Sequence, residues 1–163
     1  MYEPQRPESS LHVKHRETAR AFVTNPRGQL LLIKTHWDPG TGLPPRWLTP
    51  GGGIDAGETV AEAAARELWE ELGLRISAES LQAPPAQLDF KIEWADSRYE
   101  TGRAYFFHHS VSDDFVPDHL NWTQNEHRDV LELRWWDIDA ILTSDERFGP
   151  PGLADLIRDR FRH

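Results

Sequence analysis

The chain of 163 residues contains no cysteine. Disulfides, thiolate metal sites and reactions run by a cysteine nucleophile are thereby excluded, and a reducing cytoplasmic home is permitted. Basic residues are in deficit as well: 18 Lys and Arg against 27 Asp and Glu leave a net charge of −9 and a pI near 5.3. Nucleic-acid polymers and anionic membrane surfaces require a basic footprint that such a composition does not supply. No stretch approaches the roughly 18 apolar residues of a membrane span. MYEPQRPESSLHVKHR at the N-terminus also lacks the apolar core of a secretion signal. We therefore read the chain as cytoplasmic, with a small anionic molecule as its partner and neither nucleic-acid polymer nor membrane.

Linker-like low-complexity runs and internal repeats are missing too, and the length suits one ordinary domain. That domain is expected over residues 18–163. The polar, basic residues 1–17 fit either a disordered arm or a segment exchanged in a homodimer.

What is present is concentrated in residues 52–74, GGIDAGETVAEAAARELWEELGL. Thr59 followed by Glu62 is a capping-box pair that starts a helix. Val60 to Leu72 carries no Pro or Gly, and Gly73 stands where a left-handed cap ends the helix. At about 100° per residue, Ala61, Ala64, Ala65, Leu68 and Leu72 share a packing arc, while Glu67, Glu70 and Glu71 share an acidic one. Surface helices normally intersperse positive charge among carboxylates, and here only Arg66 does so, in reach of Glu70 or of Glu58 on the preceding turn. Clustered carboxylates suit a hard divalent cation, although a solvated acidic face would look the same in an isolated helix.

With its glycines the segment fits G-x5-E-x7-R-E-U-x-E-E-x-G-U, U being a bulky aliphatic residue. Gly52, Glu58, Arg66, Glu67, Leu68, Glu70, Glu71, Gly73 and Leu74 fill every fixed position. The segment resembles the signature of the Nudix hydrolases, which act on nucleoside diphosphates linked to another moiety, and the resemblance extends more weakly over residues 18–161. It implies catalytic roles for Glu67, Glu70, Glu71, Arg66 and Glu58, with Glu67, Glu70 and Glu71 as ligands of Mg²⁺, for which Mn²⁺ would substitute. It also implies that Glu58 and Arg66 brace the turn against the helix. Gly51, Gly52 and Gly53 let the backbone turn sharply and approach a pyrophosphate.

Strands are expected at 19–25 and 29–35, joined as a hairpin through Pro26-Arg27-Gly28, and at 47–49, 88–94, 103–111 and 131–138. A C-terminal helix is expected over 152–161, with Leu153, Leu156, Ile157 and Phe161 on its packing face. Strands mixed with two or three helices indicate an α/β fold. The family resemblance likewise implies an α/β/α sandwich around a mixed sheet.

Specificity is expected on loops. The Pro/Gly-rich stretch 36–46 leads towards the glycines, and His36, Trp37 and Arg46 are candidate substrate contacts; Trp47 reads as core. The loop 121–129 carries Glu126 and His127. Glu126 sits where many Nudix enzymes place a further metal carboxylate, with Asp129, Glu100 and Glu93 as competitors. His127 is a candidate phosphate contact or base, since its unperturbed pKa near 6.5 suits proton transfer. His108 and His109 alternate faces on a strand, which argues against their binding a metal together.

The reaction these features imply is Mg²⁺-dependent hydrolysis of a pyrophosphate bond in a small nucleotide. Family markers downstream of the signature for ADP-ribose, NADH and dinucleoside polyphosphates are missing: Pro84 and Pro85 fall too early, and residues 89–93 read DFKIE. Nucleoside triphosphates and nucleotide-sugar type diphosphates remain. A diphosphate isomerase that shares the family's fold relies, as the resemblance implies, on a cysteine, and this chain has none. A non-catalytic nucleotide sensor, the alternative from another class, would be expected to have lost carboxylates that are all retained.

Overall fold

Asn25 closes the first hairpin. Its side-chain oxygen accepts the backbone N–H groups of Arg27 and Gln29, both at 3.0 Å, and Gly28 turns the chain with φ 75°, a conformation that costs glycine little. The strands on either side are β1 (His15–Thr24) and β2 (Leu30–Thr35), which pair antiparallel at Thr24 and Leu30. Beyond that pair they take different partners. β1 runs parallel to β6 (Thr101–Ser110) along its whole length and antiparallel to β4 (Gly51–Gly53). β2 pairs with β3 (Arg46–Leu48) and β7 (Val130–Trp136). β5 (Ala86–Lys91) closes the far edge on β6. Among the described residues the result is a mixed seven-stranded sheet. The computed structural model describes residues 15–36, 44–81, 84–91, 101–119, 122, 124 and 130–162. β1 thus begins inside the 1–17 stretch.

Side-chain alternation along β1 divides the apolar residues between the two faces of the sheet. Ala19, Ala21 and Val23 meet α1 (Val60–Leu72), with Leu68 and Leu72 packed among Ala21, Val23, Leu31 and Ile33, and with Ala63 and Ala64 against Ala19. Alanine on both sides lets helix and strand approach closely. Leu68 and Leu72, 1% and 0% exposed, contribute about 2 kcal/mol each through burial. Phe22, Leu30, Leu32, Trp47, Phe106 and Trp136 point the other way. They meet Ile141 of α2 (Ile138–Thr143) and Leu153 and Ile157 of α3 (Leu153–Phe161). Helices on both faces of a mixed sheet make the α/β/α sandwich expected from the sequence.

The strand expected over 131–138 ends two residues earlier, at Trp136, and a short helix follows. Asp137 breaks the extended run, and Ile138 and Ile141 then share the helical spacing that faces α3. Trp47 is fully buried, as expected, and its indole N–H donates to Glu146 Oε1 at 2.8 Å. Among the described residues no helix is long and apolar enough to cross a membrane.

Both ends of α1 are built as the sequence indicates. Thr59 Oγ1 accepts from the Glu62 N–H at 3.1 Å, and Glu62 Oε1 accepts from the Thr59 N–H at 2.9 Å. Gly73 adopts φ 71° and donates to the carbonyl of Trp69. Its bare Cα faces the Asp118 carboxylate, 2.7 Å from where a Cβ would sit. The last carbonyls of α1 find partners from the distant 118–122 region: the Asp118 N–H donates to Leu72 and the Trp122 indole to Glu71. We expect Thr59→Ala to lower stability by about 1 kcal/mol, the usual worth of such a cap. Chemical denaturation measures this, and an unchanged midpoint would show that the cap contributes nothing to the position of α1.

Candidate active site

The acidic face of α1 lies against the glycine strand. A Cβ at Gly52 would stand 2.6 Å from Glu67 Oε2, so only a glycine here lets the carboxylate come so near the backbone. One step back, the Gly51 N–H donates to Glu71 Oε1 at 2.7 Å. β4 is held in turn by β1, with Gly51 opposite Arg20, Gly52 opposite Ala19 and Gly53 opposite Thr18. Two of the three helix carboxylates therefore meet two of the three consecutive glycines, Glu71 at Gly51 and Glu67 at Gly52.

Arg66 gathers this arrangement around one guanidinium. Its Nε donates to Glu58 Oε2 at 2.7 Å and its Nη2 to Glu58 Oε1 at 3.0 Å, a bidentate fork. Nη2 also donates to the Gly53 carbonyl at 2.9 Å. Nη1 serves Glu67 Oε2 at 2.9 Å and Glu70 Oε1 at 3.4 Å. Both sequence-level pairings of Arg66, back to Glu58 and forward to Glu70, are thus realised at once. Glu58 reaches further still and accepts from the Asp55 N–H at 2.9 Å, which fixes the loop between β4 and α1. The Arg66 hydrogen bond holds the Glu58 carboxyl below its ordinary range. Arg66 is correspondingly pushed up, first by Glu58 and then by Glu67.

Glu67 differs from its place on the solvated acidic arc. It is 9% exposed, wedged between Gly52 and Arg66, so only Glu70 and Glu71 of the three are half-buried. Arg46 is not on the loop but is the first residue of β3, 8% exposed, where burial and then the neighbouring Arg147 push its pKa down. Pairing with Thr35 of β2 draws it into the sheet. His36 follows β2 and is half-buried. Trp37, Glu126 and His127, with the competitors Glu93, Glu100 and Asp129, lie outside the described residues. His108 and His109 stand on β6, with His108 Nε2 2.9 Å from Thr24 Oγ1.

Arg20 is the residue that sequence reasoning passed over. It stands in β1 with 5% exposure, and its Nη1 donates to the Thr49 carbonyl at 2.9 Å and its Nε to Thr18 Oγ1 at 3.2 Å. A Cβ at Gly51 would lie 2.5 Å from Arg20 Cγ. Burial and the nearby Arg16 pull its pKa down to about 10, against the opposing charges of Glu71 and Glu67. The available signal was a single cation inside the apolar run ARAFV.

Chemically, the face presents hard carboxylate oxygens on successive turns beside bare backbone, the donor type that Mg²⁺ takes while keeping sites for water and phosphate. Among the described residues no three acidic or imidazole groups form a ready-made cage. Arg66 instead spans Glu67 and Glu70. The donor set fits such a cation in kind.

A model of the NUDIX domain matches residues 14–158. An RNA pyrophosphohydrolase of Rhodospirillum rubrum is 38% identical over 72 residues, 44% of this chain and 41% of that protein. The nucleoside triphosphatase NudI of an Enterobacter species is 36% identical over 74 residues, 45% of this chain and 52% of that protein. The chain thus spans about half or less of the length of these curated relatives. Among solved structures, the MutT protein from Methanosarcina mazei Go1 superposes with a TM-score of 0.67 at 21% identity, covering 91% of this chain and 93% of that one. That likeness concerns the fold, and with the family match over nearly the whole chain it closes the question: this chain belongs to the Nudix family.

Proposed function

We propose that the protein hydrolyses a pyrophosphate bond in a small nucleotide, a nucleoside triphosphate or a nucleotide-sugar type diphosphate, with Mg²⁺ held by Glu67, Glu70 and Glu71. The observation that carries this reading is the meeting of a carboxylate face with a strand of three glycines, where Glu71 touches the Gly51 N–H and Glu67 lies on Gly52. Relatives named as pyrophosphohydrolases and as a nucleoside triphosphatase agree with it. A net charge of −9 favours small nucleotides over an RNA polymer.

When bound, Mg²⁺ supplies neutralisation of the charge that builds on the phosphoryl oxygens and makes water more acidic. The protein's own residues do the rest. The Gly51–Gly53 backbone, free of side chains, gives the diphosphate room to approach. Arg66 and Glu58 hold the turn and the helix in register, which keeps the reacting groups placed before substrate arrives. Water attacks one phosphorus, the bridging P–O bond breaks, and the proton lost by the water passes to a carboxylate of the α1 face. Glu126 supplies a further ligand and His36, Trp37 and His127 contacts to the substrate in this reading.

Purified protein with Mg²⁺ should cleave at least one member of a panel of nucleoside triphosphates and nucleotide sugars, with products identified by mass. Glu70→Gln should then lower kcat on the order of a hundredfold or more while melting as the wild type does. Turnover equal to wild type in that variant would remove Glu70 from the reaction.

Arg66→Lys tests the brace separately. Lysine keeps the charge but cannot form the planar fork to Glu58 while also reaching the Gly53 carbonyl. We expect activity to fall at least about tenfold, since small misplacement of positioned groups is costly. The brace depends on ionised Glu58, whose folded pKa is depressed. Its contribution is therefore complete at neutral pH and is lost as the pH falls through that lowered value. Acid unfolding of Arg66→Lys should start from a lower neutral-pH stability and lose less on acidification. Parallel wild-type and variant curves would contradict the brace.

A further inference from the structure

Arg20 is nearly fully buried, yet both of its hydrogen bonds go to neutral oxygens, Thr18 Oγ1 and the Thr49 carbonyl. Burying a charge costs several kcal/mol unless opposite charge lies near. Opposite charge is found across the glycine strand. The Cβ position of Gly51 falls on the Arg20 stem, and that of Gly52 falls on the Glu67 carboxylate. Successive positions of a strand point to opposite faces, so cation and carboxylate sit on the two sides of one layer of bare backbone. Glu71 reaches the same layer through the Gly51 N–H.

We propose that Arg20 is a built-in counter-cation for Glu67 and Glu71, placed behind the glycine strand, and that its charge sets how tightly the protein alone takes up a divalent cation. The inference rests on the reading of Glu67, Glu70 and Glu71 as the metal-binding set. Without a metal, the fixed charge of Arg20 offsets part of the repulsion among the carboxylates. With a metal, the same charge opposes the incoming cation, because like charges on the two sides of a thin, partly buried layer repel. The free protein therefore binds the cation weakly. A substrate's phosphates, which bring their own negative charge, restore the balance, so that metal and substrate favour each other's binding. Arg16, a second arginine near Arg20, adds to the positive side of this balance.

Metal-free protein titrated with Mn²⁺ and followed by electron paramagnetic resonance tests the charge directly. Arg20→Gln keeps an N–H for the Thr49 carbonyl and removes the charge, Arg20→Met removes both, and Arg20→Lys keeps the charge and loses the guanidinium geometry. The two neutral variants should bind Mn²⁺ about tenfold more tightly than wild type, with Arg20→Lys within a factor of about three. Melting temperatures give a readout independent of activity: a neutral variant that folds should melt lower than wild type without metal and gain more on adding Mn²⁺. Equal or weaker Mn²⁺ binding by Arg20→Gln and Arg20→Met overturns the proposal. So does an equal tightening in Arg20→Lys, which would assign the effect to the guanidinium's hydrogen bonds and not to its charge. Should only Arg20→Lys fold, wild-type affinity with a lowered melting point supports the charge role, and weakened affinity overturns it. If wild-type protein binds no Mn²⁺ even at tens of millimolar, the metal reading of the carboxylates fails first, an outcome separate from any change among the variants.

Discussion

Everything near the site depends on one guanidinium. Arg66 bonds Glu58 through a two-point fork, the Gly53 carbonyl, and the helix carboxylates Glu67 and Glu70 that follow it, all within 3.4 Å. Three carboxylates on adjacent turns of α1 would otherwise repel one another and the Glu58 loop. A single planar cation with five donors resolves this in a way that lysine cannot. It also joins three pieces of chain, the end of β4, the loop after it and the middle of α1, so the turn and the helix behave as one unit.

Glycine is the complementary constraint. Side chains at positions 51 and 52 would strike β1 and Glu67 respectively, and the absence of side chains there brings acidic groups onto the backbone itself. A layer of this kind is thin enough for charge on one side to be felt on the other, which gives the buried Arg20 its importance. Packing supplies the rigidity: the alanines of α1 settle on Ala19, and Leu68 and Leu72 settle on the sheet. The helix that carries the carboxylates is thereby fixed to the strand that carries Arg20. Site and core are two sides of the same elements.

Much of this was legible in the sequence where the cause is local. The capping box of Thr59 and Glu62 and the left-handed Gly73 are set by neighbouring residues and appear where expected, and the apolar arc of α1 does so at Ala64, Leu68 and Leu72, while Ala63 is buried and Ala61 and Ala65 are half-buried. Asn25 to Gly28 likewise makes its turn from its own side chains. What depends on distant chain was not legible. Nothing near His15 announces a parallel partner at Thr101, and nothing in the acidic arc distinguishes Glu67 as the member pressed against Gly52. Arg46 reads as a loop residue in the sequence because β3 is short and exists through its pairing with β2. The charge of Arg20 could be placed only once β4 was laid beside β1. Trp37, Glu126 and His127 lie outside the described residues.

The central claim is that the carboxylates of α1, beside the glycine strand, form the cation site of a pyrophosphohydrolase. Crystals grown with Mn²⁺ and a nonhydrolysable nucleoside triphosphate analogue, measured at the manganese absorption edge, test it most directly. The account predicts an anomalous peak within coordination distance of at least two of Glu67, Glu70 and Glu71, with phosphate oxygens on the same ion. An ordered analogue whose manganese lies away from all three carboxylates would contradict it.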